Sequence, residues 1–294
     1  MDYEARLKQY GYIPREGDVL FCKVLVDQAL RTGLAAGVIT GAPGVGKTHL
    51  AETLARVLGW HSEYYLCHNW TTEEDLFFRL NVGKVAAMAG GITDTLGGVV
   101  TQAVYEPGVL LRAINHGPAV VILDELDKAQ EHTDVLLLDF LVSGRVIDPF
   151  GKIYIREKPV VVIVTNNGYR ALSEPLLRRT YRYEMAPLPP HTEVELIRRT
   201  TGSAINVVKT VVGMISTVRA KGTSCPSLQE GIRACDALRL ISSATEAELV
   251  IRGLVCKTPE DWEALQRVYK SPGAVLWGEV RRTRPSSGLK GGLS

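Results

Sequence analysis

The run Gly41-Ala42-Pro43-Gly44-Val45-Gly46-Lys47-Thr48 has the residue types and spacing of a loop that holds phosphate. Its glycines let backbone N–H groups turn inward toward a β-phosphate, and a helix opening at Thr48 adds the partial positive charge of its N-terminus. Lys47 would bridge β- and γ-phosphate oxygens, the Thr48 hydroxyl would ligate Mg²⁺, and His49 borders the same loop. Some 80 residues on, Asp124 and Glu125 close the apolar run AVVIL. Asp124 would hold Mg²⁺ through its water shell, and Glu125, ionised at neutral pH, could polarise a water for in-line attack. The run VVVIVTNN also ends in polar residues: Asn166 and Asn167 could both cap a turn, or one of them, Asn167 being favoured over Asn166 by little, could fix the attacking water or touch the γ-phosphate. A short arginine run, Arg178, Arg179 and Arg182, is either a surface ion-pairing site or is aimed at a phosphate.

These residues need a scaffold that brings strand ends together. LAAGVIT (34–40), SEYYLCH (62–68), AVVILD (119–124) and PVVVIVT (159–165) read as strands. THLAETLARVLG (48–59), TEEDLFFRL (72–80) and TDVLLLDFLVSG (133–144) read as helices, and an amphipathic helix over Val19–Arg31 presents Leu20, Val24, Leu25 and Leu30. Continuous apolar strands alternating with helices predict an α/β fold, a doubly wound parallel sheet. In such sheets ligands collect at the C-terminal edge, where Asp124 and the phosphate loop would meet. A glycine-punctuated stretch (83–98) reads as a hairpin or flap, and GRVIDPFGKIYI (144–155) as a β-hairpin. After PLPPH (187–191) only helical spacing remains, in TEVELIRRT, AINVVKTVVGMISTVRA, SLQEGIRACDALRLI and PEDWEALQRVY. The expected division is an α/β nucleotide-binding core over 1–189, a small all-α lid over 190–270 and a disordered basic tail over 271–294.

With 294 residues, 46% of them hydrophobic and 22% charged, the chain can bury a full core. A net charge of +2 creates no global field for nucleic acid. The apolar runs are too short to span a bilayer, and the charged N-terminal residues do not form a signal peptide. Five widely spaced cysteines (Cys22, Cys67, Cys225, Cys235, Cys256) suit unpaired thiols in a reducing cytoplasm. His49, His61, His68, His116, His132 and His191 show no metal-binding spacing. No segment of the guanine-reading NKxD kind is present.

GAPGVGKT, VVILDELDKA, VTNNG and LSEPLLRRTYRYEM, in this order and before a helical region, resemble the AAA+ ATPases. Within them the chain is most similar to the MoxR-like branch, which includes CbbQ- and NorQ-related proteins. TTEEDLFFRL with the glycine-rich stretch and YEPGVLLRAINHG is similar to that branch's helix-2 insert, and SGRVIDPFGKIYIRE to its hairpin. The resemblance covers about residues 15–245. It implies that Gly41 to Thr48 form Walker A, that Asp124 and Glu125 belong to Walker B, and that Asn167 is sensor 1. It further implies that Arg179 is an arginine finger, with Arg178 beside it, acting on a neighbouring subunit's phosphate in a ring, most often a hexamer. At the sensor-2 position the chain departs from the family, placing Gln229 where an arginine is usual; either Arg233, one turn on, substitutes for it or the site has no sensor-2 arginine.

The resemblance implies a motor that couples Mg-ATP hydrolysis to remodelling of a protein partner, in MoxR-like systems often one with a von Willebrand factor A domain. Trp70, Phe77 and Phe78 could face a pore or a partner, although Phe77 and Phe78 fit a core equally. A nucleic-acid translocase is the alternative, supported only by Lys84, Arg145, Lys152 and Arg156. A nucleotide-gated scaffold with little hydrolysis is a third reading, against which Glu125 and Arg179 speak.

Overall fold

The computed structural model describes residues 1–83, 105–148 and 151–283. They divide into two units, the first comprising 1–41 with 46–185 and the second 42–45 with 186–294.

The first unit is built on five parallel strands: β1 (Leu34–Thr40), β2 (His61–Leu66), β5 (Ala119–Asp124), β8 (Val160–Asn166) and β9 (Tyr181–Glu184), in the order β2-β5-β8-β1-β9. β5 and β8 are buried along their whole length, which is why they read as unbroken apolar runs. Each Val, Ile or Leu so buried contributes roughly 1.5–3 kcal/mol. Register pairs Thr40 with Asn166 and Leu66 with Asp124, so the C-terminal ends of four strands share one edge, three of them polar. Leu34, Ala36 and Val38 of β1 pack with Val121 and Leu123, with α5 (Val109–His116) and with α6 (His132–Ser143). Gly37, on the opposite face of β1, lies under α2 (Glu16–Thr32). A side-chain carbon there would come within 2.6 Å of the Phe21 ring, so only glycine lets α2 lie this close. α3 (Lys47–Leu58) packs on β2, β5 and β8 and buries Leu50, Ala51 and Leu54. Buried Asp18 ties α2 to β9, accepting from Tyr12 Oη at 2.9 Å and Tyr183 Oη at 2.7 Å.

Several sequence expectations need correction. The buried face of α2 is Phe21, Cys22, Leu25, Val26 and Ala29, while Leu20 and Leu30 are exposed. TEEDLFFRL is not one helix. Thr72 and Asp75 do form a capping box, but α4 (Glu73–Leu76) lasts a single turn, because β3 (Phe78–Leu80) pairs antiparallel with β4 (Tyr105–Pro107). Buried Phe78 thus lies on a strand, and Trp70 is exposed. The flap expected after Gly83, with Lys84, lies outside the described residues. The hairpin of β6 (Arg145–Ile147) and β7 (Ile153–Ile155) has the expected antiparallel pairing.

The second unit is helical: α8 (Pro190–Thr201), α9 (Ile205–Lys221), α10 (Leu228–Ala237), α11 (Ala244–Leu254), α12 (Pro259–Val268) and α13 (Pro272–Thr283). Its core gathers Ile197, Val208, Val211, Met214, Ile215 and Leu265. Two of these helices were not expected. α11 is capped by Ser243, whose side chain accepts from Glu246 N. α13 corrects the tail reading: residues 272–283 are helical, with Leu276 and Val280 at i, i+4 in the core, and the remaining tail, 284–294, lies outside the described residues.

Candidate functional site

The phosphate-loop segment leaves the end of β1. Gly41, Gly44 and Gly46 have φ of 148°, 77° and 105°, values that side chains disfavour, so the loop's shape follows from its glycines. Gly46 is the N-cap of α3 and has no side chain with which to cap the helix. Ala42 and Val45 are half-buried, and Pro43 and Gly44 are exposed. Lys47 is buried and donates to the Gly41 carbonyl at 2.6 Å. Burial pulls its pKa below the ordinary lysine value, against the opposing pull of Asp127, Asp124 and Glu125. His49 is exposed, with its ring 5.3 Å from that of Tyr12.

Asp124 is the hub of the edge. Its Oδ1 accepts from Thr48 Oγ1 at 2.7 Å and from Thr165 Oγ1 at 2.6 Å, and its Oδ2 accepts from Tyr64 Oη at 2.9 Å. Burial, with the Asp124 bond second, raises the Tyr64 phenol above its ordinary value, so it stays a donor. Thr48 and Asp124 thus present adjoining hydroxyl and carboxylate oxygens, hard donors of the kind magnesium accepts. Among the described residues no group of three or more His, Cys, Asp or Glu forms a complete metal cage.

Glu125 has φ 55° and ψ 45°, and it is the one described residue other than glycine with positive φ. A left-handed glutamate at a strand end is strained, and such strain collects at functional sites. The turn is held by Thr165, whose Oγ1 accepts from Glu125 N at 2.8 Å. The side chain is held from two sides: Asn167 Nδ2 donates to Oε1 at 2.9 Å, and Lys128 Nζ lies 2.5 Å from Oε2. The bond to Glu125 is the main cause that raises the Lys128 pKa. The structure separates the two asparagines. Asn166 Oδ1 accepts from Gly168 N and so caps the turn, whereas Asn167 reaches Glu125. Buried Asp127 orders this loop, accepting at Oδ2 from Asn167 N and Tyr169 N, both at 2.9 Å.

The arginines lie apart from this network. Arg178 and Arg179 follow α7 (Glu174–Leu177) and are exposed. Arg178 pairs with Glu174 at 3.1 Å; Arg179 donates to the Pro175 carbonyl at 2.8 Å and has no carboxylate partner among the described residues. Arg182 is exposed on β9. Gln229 and Arg233 share the exposed face of α10, one turn apart. Arg156 is taken up structurally: it donates to the Thr32 carbonyl at 3.0 Å and fills the space above Gly33 and Gly144.

Sequence reasoning missed Tyr64, Asp127, Lys128, Thr165 and Arg170. Asp127 and Lys128 had a visible signal, an acid three residues after Asp124 and a lysine after it. Arg170 closes the loop beyond the site by binding buried Asp134 at 2.6 Å. Tyr64 and Thr165 had none, since their partners come from other strands.

A phosphate loop, an acidic strand end and an asparagine strand end on one edge of this sheet define a P-loop NTPase of the AAA+ fold. Residues 37–182 match the AAA domain of the dynein-related subfamily. Chaperone protein ClpB of Clostridium perfringens is 28% identical over 146 residues, covering 49% of this chain and 15% of that protein. Chaperone protein ClpC4, chloroplastic, of Oryza sativa is 33% identical over 142 residues, covering 46% and 14%. Probable chaperone protein ClpB 1 of Chlorobaculum tepidum is 31% identical over 132 residues, covering 44% and 27%. The chain therefore spans less than a third of the length of these relatives. Two mutant forms of Thermotoga maritima RuvB align with TM-scores of 0.50 and 0.51 at 16% identity; each alignment covers 84% of this chain, and 72% and 71% of theirs, which bears on fold alone. No helix among the described residues is long and apolar enough to cross a membrane.

Proposed function

We propose that this protein is a cytoplasmic, MoxR-like ring motor, a hexamer, that hydrolyses ATP at subunit interfaces to remodel a protein partner of the von Willebrand factor A kind. The observation that carries the reading is Glu125, held in a left-handed backbone beside the Thr48–Asp124 pair and gripped by Asn167. Lys47 and the loop 41–48 would hold the β- and γ-phosphates. Magnesium, held by Thr48 and Asp124, would neutralise charge on those oxygens. Glu125, oriented by Asn167, would accept the proton of the attacking water. Arg179, with Arg178 beside it, would stabilise the γ-phosphate of the neighbouring subunit. Gln229 or Arg233 would sense nucleotide from the helical unit, acting as a lid. The chaperone relatives favour work on protein, and the internal use of Arg156 removes one of the few cations open to nucleic acid.

The reading is tested by Glu125→Gln. Phosphate release should fall by about 10²–10⁴-fold while nucleotide still binds. Unchanged turnover would remove Glu125 from the chemistry.

A further inference from the structure

Tyr64 stands in β2, the strand beside β5, and its hydroxyl reaches across to Asp124 Oδ2 at 2.9 Å. Thr48 and Thr165 both bind the other oxygen, Oδ1. Two donors on one oxygen fix that atom but leave the carboxylate able to pivot about it. A third donor on Oδ2 fixes its plane. An ionised carboxylate offers about four lone-pair positions, and three are filled here. The fourth, on Oδ2, is where the water shell of a cation would bond, and Tyr64 determines where it points. At 46% exposed, Tyr64 is not a core residue placed there by packing alone. Its neighbour Tyr65 alternates to the other face, where its hydroxyl lies 3.3 Å from His68 Nε2. We propose that Tyr64 is a positioning residue for the divalent cation, orienting Asp124 through Oδ2. This rests on the reading of Thr48 and Asp124 as the cation's protein ligands.

The experiment uses the full chain and binding of a fluorescent ADP analogue, titrated with Mg²⁺ and repeated in EDTA. Tyr64→Phe keeps the ring and removes only the hydroxyl. It should raise the Mg²⁺ midpoint about tenfold, the scale for partners that orient ligating carboxylates. Affinity in EDTA and thermal melting should match the parent, and Tyr65→Phe should leave the midpoint in place. If Tyr64→Phe leaves the midpoint unmoved while Asp124→Asn shifts it, the Tyr64 proposal is wrong and the cation reading stands. If the parent binds the analogue equally with and without Mg²⁺, the cation reading itself falls, and Tyr64 with it.

Discussion

The end of β5 and the turn after α7 carry the two halves of the proposed chemistry, and they are built in opposite ways. Asp124 is buried and takes three side-chain donors, and Glu125 is held by strained backbone, an asparagine and a lysine. Arg179 is exposed and has one carbonyl as its partner. A group whose target lies in its own chain can be ordered before the target arrives, because the same fold supplies its neighbours. A group whose target lies on another chain has nothing to order it until assembly. The contrast between pre-organised acids and a loosely held arginine supports the proposal that hydrolysis is completed between subunits.

The contrast can be broken at its weak side first. Arg179→Ala should lower ATP turnover about 10³-fold, within the range for arginine fingers, while nucleotide affinity and melting stay at parent values. Arg178→Ala, which removes the arginine beside the finger together with its exposed pair to Glu174, should lower turnover by less than Arg179→Ala does. An intermediate effect is expected from Asp127→Asn, which loosens the backbone of Asn167 and Tyr169 and removes a carboxylate charge acting on Lys47. Turnover should fall roughly tenfold or more by misplacement of Asn167, with the loss read by phosphate release. Parent-like turnover would show that the loop orders itself.

The smallest effect concerns a buried acid of the same pre-organised kind in the helical unit. Burial would raise the Asp261 pKa, but the Ser224 hydroxyl and the N–H groups of Lys257, Ser224 and Thr223 together hold it far below the usual carboxylate range. A folded pKa below the unfolded one gives stability that is present above pH about 4 and lost as pH falls through the folded value. Urea midpoints should therefore fall below pH 4, and Asp261→Asn should flatten that dependence. A parent midpoint independent of pH there would contradict the assignment.

What could be read in advance follows from the range of the forces. β5, β8 and the phosphate loop were legible because each is determined by consecutive residues. The nearness of Thr48 to Asp124 followed from parallel strands ending at one edge. Tyr64 was not legible, because it meets Asp124 across 60 positions of sequence through a strand pairing that no local pattern encodes. TEEDLFFRL shows tertiary pairing overriding a helical signal: Phe78 pairs with Pro107, and the helix stops after one turn. The α13 helix was hidden by the Gly/Ser-rich residues beyond it, although Leu276 and Val280 already stood at helical spacing.

The claim that the site is completed by a second chain is tested most directly by mixing. Glu125→Gln chains keep Arg179, and Arg179→Ala chains keep Glu125, so each alone should be nearly inactive. Mixed and allowed to exchange subunits, they should regain ATP turnover, since some interfaces then join an intact Glu125 to an intact Arg179. A mixture as inactive as its components, with subunit exchange verified, would place Arg179 outside the neighbouring site and contradict the account.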